Sequence, residues 1–124
     1  MTNQTQNSNT QSIKYNLEER TANFGLEVIR YCKVLRQDSI NRPLINQLIR
    51  SGTSVGANYM EANGADSKKD FKAKIGICKK EAKETLHWLK MLKETNPETE
   101  SKLLALWKEA HELSLIFGAI NRKL

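Results

Sequence analysis

Between residues 71 and 92 the chain places Phe71, Ile75, Cys78, Ala82, Thr85, Leu89 and Leu92 at alternating steps of four and three that never break. This spacing puts all seven side chains on one stripe of an α-helix, and a stripe of that length needs facing helices to cover it. The helix begins after "SKKD" (67–70), a Ser-x-x-Asp pattern that can cap an N-terminus. It runs to about Glu94, roughly 40 Å at the helical rise. The chain has only two prolines in 124 residues and is rich in Lys, Glu, Ala and Leu, which favours helix over strand.

Three further helices follow from the same periodicity. The first spans about Leu17 to Arg36, with Phe24, Val28, Tyr31 and Leu35 on one face. After the break "QDSIN", Pro43 suits the first turn of a second helix, where its missing N–H costs nothing. The fourth restarts at "NPET", with Asn96 as cap, Pro97 in the first turn, and Glu98 and Glu100 where the helix dipole favours negative charge. It carries a wide apolar face of Leu103, Leu106, Trp107, Ala110, Leu113, Ser114, Phe117 and Ile120. Four helices with short links predict an all-α, antiparallel up-down-up-down four-helix bundle over residues 16–124.

The stretch "SGTSVG" at 51–56 invites a phosphate-loop reading, but Gly52 and Gly56 are four apart and Ala57 stands where a phosphate-binding lysine is required. Two apolar or small stripes run straight through it: Leu44, Leu48, Ser51, Val55, Asn58, Ala62 beside Ile45, Ile49, Gly52, Gly56, Tyr59. It is helix. Its two interior glycines cost about 2 kcal/mol relative to alanine, which close approach of a neighbouring helix would offset. Gly64 fits the C-terminal cap. If the turn between helices two and three centres near residues 65–66, Gly52 and Gly56 face Cys78 and Ile75, and Arg50 lies near Glu81.

Residues 1–12, "MTNQTQNSNTQS", hold no charge and no apolar residue beyond Met1. They cannot form a signal-peptide core and have too little to bury to fold alone, so residues 1–15 are expected to be a disordered tail. The longest apolar run, "LSLIFGAI" at 113–120, is too short to cross a bilayer. No membrane role is expected. Cys32 and Cys78 lie in helical patterns without CxxC pairing and are read as reduced core thiols of a cytoplasmic protein, with a disulfide as the alternative.

With the helix-two–helix-three hairpin placed, Gln47-Leu48-x-Arg50, Ser54-Val55-x-x-Asn58-x-x-Glu61, Asp70-Phe71 and Glu81-Ala82-x-Glu84 leading to Trp88-Leu89 form a pattern. It resembles the four-helix-bundle family first met as proteins encoded in intervening sequences of large-subunit ribosomal RNA genes. The likeness covers roughly residues 20–122. Tyr59-Met60 replaces the smaller pair usual before the motif's glutamate, and Ala62-Asn63 stands where glycine is common. The resemblance implies a homo-oligomer, typically a pentamer of bundles around a central channel. A distant relative is the accessory protein of diversity-generating retroelements, a basic pentamer that engages reverse transcriptase and nucleic acid.

The net charge is +6, and the segment from Ser67 to Glu94 alone carries nine lysines against four acids. Lys68, Lys72, Lys79, Lys83 and Lys90 form one stripe roughly 30 Å long. It reads either as a phosphate-tracking surface or as an ordinary solvated face, and no aromatic residue is interleaved on the stripe to stack bases. Arg50, Asn58, Glu61, Glu81 and Glu84 read as a structural polar network, Arg50 pairing with Glu81 and Asn58 bonding across helices. An acid–base role is disfavoured because no nucleophile or phosphate loop accompanies them. Glu84-x-x-His87 lacks the second Glu-x-x-His pair and the two further glutamates of a carboxylate-bridged di-iron bundle, so no metal or other cofactor is expected. The expectation is a non-enzymatic, pentameric accessory protein that binds RNA or DNA with little sequence preference. The alternative is a protein-binding or scaffolding oligomer with no nucleic-acid role.

Overall fold

Why the chain stops being helical where it does is visible at each junction. A computed structural model describes residues 17–124 in full and residues 2–16 as backbone alone. The tail expected over residues 1–15 lies outside the residues whose side chains are described. Helix α1 (Thr2–Lys33) ends three residues before Arg36. Val34 and Leu35 N–H turn back to the carbonyls of Tyr31 and Cys32, and the Gln37 amide donates to the carbonyls of Cys32 and Leu35. Those bonds satisfy groups that a continuing helix would have used.

Helix α2 (Asn41–Asn63) has Pro43 in its first turn, as expected, and Asp38 Oδ1 accepts from the N–H of Ile40 and Asn41 just ahead of it. Gly64 is its C-cap, at φ −96° and not in the left-handed region. Helix α3 (Lys68–Thr95) opens as predicted, with Ser67 Oγ accepting from Asp70 N–H at 3.0 Å. A 3-10 turn at Pro97–Thr99 leads into helix α4 (Glu100–Lys123). Asn96 does not cap α4 with its side chain. It forms a buried, reciprocal amide pair with Asn41 (Nδ2 to Oδ1, 3.0 and 3.1 Å), which Arg36 O, Leu92 O and Thr95 complete. Pairing wins there because a buried amide without partners costs about 1–3 kcal/mol.

The helices run up, down, up, down, with sequence neighbours packed together and α4 returning to touch α1. The predicted stripe on α3 is the core: Ile75, Cys78, Ala82, Thr85, Leu89 and Leu92 are fully buried, facing Leu48 and Val55 of α2 and Leu113 and Phe117 of α4 in one cluster. Tyr59 and Phe117 meet across the diagonal, ring centroids 5.7 Å apart. Inside this cluster Thr85 Oγ1 and Ser51 Oγ, both fully buried, hydrogen-bond each other at 2.9 Å. Cys32 and Cys78 are free and buried, and burial pushes both thiols up to about 12. No helix of the described residues is long and apolar enough to cross a membrane.

The small middle of α2 does receive a close neighbour, but the neighbour is α1, not α3. A β-carbon on Gly52 would sit 2.9 Å from Val28 Cγ2, and one on Gly56 would meet the Thr21 carbonyl at 3.2 Å. The expected facing of these glycines with Cys78 and Ile75 is therefore corrected. The height estimate itself holds, since Arg50 reaches Glu81 and Cys78 Sγ lies 3.6 Å from Val55 O. Height follows from helical rise; which of two neighbours covers an edge follows from the handedness of the bundle.

Candidate functional site

The polar residues of α2 and α3 separate into two groups. Arg50 bridges to Glu81 at 3.2 Å and to Glu84, and its Nε donates to Gln47 at 3.1 Å. The Trp88 indole N–H donates to Glu84 at 2.9 Å. That bond, opposed by partial desolvation and reinforced by Arg50, holds the Glu84 carboxyl below its ordinary range. Glu61 stands apart and pairs with Lys74 at 2.6 Å. Among the described residues Asn58 makes no bond across helices, contrary to expectation; its amide donates to Ser54 O within α2 at 2.8 Å. A free amide four residues from a carbonyl on its own helix finds that acceptor first. The ion pairs of Arg50 with Glu81 and Glu84, and of Lys74 with Glu61, tie α2 to α3 as a helix clasp does. His87 turns its ring edge-on to Trp88 at 4.7 Å, and among the described residues no three His, Cys, Asp or Glu side chains gather as a metal site needs.

The predicted lysine stripe lies along the edge of α3 that borders α4. Lys68, Lys72, Lys83 and Lys90 are exposed, while Lys79 is half-buried, its stem 3.6 Å from where a β-carbon on Gly118 would be. Among the described residues none of the five forms an ion pair, whereas Lys74 and Lys93 of the same helix are paired, to Glu61 and Glu100. No ion pair among the described residues neutralises their charge.

Two side chains beside this edge, Trp107 and His111, form a pair that the sequence pattern does not show. Trp107, grouped by periodicity with the core face of α4, is 36% exposed, and its ring stacks on His111 with centroids 5.2 Å apart and planes 21° from parallel. The wide apolar face of α4 concealed its phase: Leu103, Leu106, Ala110, Leu113 and Phe117 fill the core, and Trp107 falls at the margin. Leu104 and Leu115 are also exposed on α4, as are Leu26 and Ile29 on α1 and Met60 on α2.

On the opposite side, Arg20 of α1 clamps α4 through a two-pronged bond to Glu109 (2.7 and 2.8 Å) and a further bond to Glu112 (2.8 Å). The hydrogen bond to Glu109, against a burial cost, raises the guanidinium pKa above its ordinary value. No local pattern marks this pair, whose members are 89 residues apart. Next to it a groove of about 660 Å³ runs between α1 and α4, floored by Phe24, Tyr31 and Leu106 and rimmed by Glu19, Glu27, Arg30 and Lys102. Its mixed rim holds no nucleophile and base in contact.

The fold is that of an antiparallel four-helix-bundle protein. The chain belongs to the 23S rRNA-intervening sequence protein family, whose model matches residues 9–119. It is also similar to a solved structure from Bacteroides thetaiotaomicron, described as a protein with unknown function from the S23 ribosomal protein family. The two share 29% identity and a TM-score of 0.77, covering 88% of this chain and 97% of that one. No curated protein matches the chain.

Proposed function

We propose that the protein is a non-enzymatic, homo-oligomeric accessory factor of the cytoplasm that holds RNA or DNA by its phosphates along the lysine edge of α3. One observation carries the reading: five lysines aligned on one helix edge with no ion pair among the described residues. An unneutralised row of cations attracts a polyanion and releases its counterions on contact. Exposed Leu26, Ile29, Met60, Leu104 and Leu115 supply apolar surface for contacts between subunits, and the family likeness favours a pentamer. Repetition around a ring would multiply the charge of one edge. In such an assembly a partner protein of the reverse-transcriptase kind would meet the same nucleic acid.

The test is binding as a function of salt. Affinity should fall with a logarithmic slope of about −0.7 to −0.9 per neutralised phosphate, and probe sequence should matter little, because lysine is a point charge without two-pronged base readout. Replacing Lys72, Lys83 and Lys90 together by Gln should weaken binding sharply while leaving the melting temperature and light-scattering mass unchanged. Lys79 is best left intact because its stem covers Gly118. Undiminished binding by the triple variant would return the edge to an ordinary solvated face and leave a scaffolding oligomer as the function.

A further inference from the structure

We propose that the α3–α4 edge selects single-stranded nucleic acid, with Trp107 as the platform on which an unpaired base stacks. The inference rests on the phosphate-binding reading above and adds the class of ligand. Its ground is the register of α4 against α3. Asn121 Nδ2 donates to Lys72 O at 3.1 Å, the Lys79 stem lies against Gly118, and Lys93 pairs with Glu100 at 3.3 Å. These three contacts, spread along the two helices, fix an antiparallel alignment in which Lys83 is level with His111 and Lys90 with Trp107, to within about a residue of helical rise.

Both rows keep to the shared edge. Lys72, Lys79, Lys83 and Lys90 step by seven, four and seven; Glu100, Trp107, His111 and Gly118 repeat the same steps on α4. Helical phase therefore places Lys83, Lys90, His111 and Trp107 on the same edge as Lys79 and Gly118. Cations stand on one side of the seam and a propped indole on the other. The indole stacks on His111 and presents about a third of its surface to water.

That combination of a charged track and an aromatic shelf is how sequence-tolerant single-strand binding works: phosphates follow the cations and any base offers a π-face to the ring. In a duplex each base is already stacked on its neighbours and the ring has nothing to receive. The lysines alone would not discriminate between the two. The tryptophan does.

The test uses the full chain carrying Trp88→Phe, so that Trp107 is the only indole, since Trp88 sits on the α2 side bonded to Glu84. Single-stranded oligothymidylate and a blunt duplex of equal length are titrated at low salt (about 50 mM), with indole fluorescence read alongside anisotropy of a labelled probe. The single strand should quench Trp107 and the duplex should not. Trp107→Ala should lower single-strand affinity roughly tenfold or more and leave duplex affinity unchanged, with Trp107→Phe in between. Equal affinity for both probes without quenching overturns the inference while the phosphate reading stands. So does a Trp107→Ala variant whose light-scattering mass falls, which makes the indole a subunit contact. Absence of binding to either probe removes the phosphate reading and this inference with it.

Discussion

Val28 stands directly over Gly52: a β-carbon there would come within 2.9 Å of Cγ2, and Val28 is fully buried with nowhere to retreat. At Gly56 the obstacle is backbone, the Thr21 carbonyl at 3.2 Å. Gly25 differs, for its β-carbon would lie 3.5 Å from Thr53, an ordinary contact. Gly52→Leu and Gly56→Leu should each cost about 1–3 kcal/mol or more by overpacking. Gly25→Ala should gain up to about 1 kcal/mol from helix propensity. Thermal melts of the three variants check this, and equal melting temperatures would mean that α1 does not rest on these glycines.

The Asn41–Asn96 pair gives a second measurable case. Asn41→Ala leaves a buried Asn96 amide short of its partner and should cost about 1–3 kcal/mol. Asn96→Ala should cost a similar amount. The double variant should cost much less than the sum, because neither amide is then left stranded. Urea unfolding of the four proteins gives the coupling directly, and strict additivity would show the pair to be energetically independent.

The buried thiols predict a pH dependence with a definite sign. In the folded chain Cys32 and Cys78 hold their protons up to about 12, whereas in the unfolded chain they lose them above about 8.5. Between those values the unfolded state binds fewer protons, so stability falls as pH rises through that window and is unaffected below it. The urea midpoint should drop from pH 7.5 to 9.5, and Cys78→Ala should flatten that drop, whatever it does to the absolute stability. Native protein should also react slowly with a thiol reagent at pH 8.

Most of the fold was legible because each helix carries its own phase. The stripe from Phe71 to Leu92, the Ser67 cap and the Arg50–Glu81 clasp needed only helical rise and one short turn. Legibility ended where the answer depended on how four phased cylinders turn about one another. Gly52 lies on the margin between two neighbours, and nothing local says that α1 covers it. Asn58 could face α3 or its own preceding turn, and the preceding turn is closer. Arg20 and Glu109 are joined only once α4 has come back beside α1. The lysine edge was legible in the sequence, but the aromatic pair beside it was not, because Trp107 looked like one more member of a wide apolar face.

Arg20 has one more consequence. α1 lies flush on the small face of α2 but touches α4 sparsely, with the groove between them and the arginine fork as the chief polar tie. The molecule is thus built as three firmly joined staves and a leaf hinged along one of them. Motion in such an object should not be shared equally, the seam under Arg20 being expected to open before the rest lets go. Amide protons along α1 would exchange as a group at a lower free energy than those of α3, which is gripped from both sides.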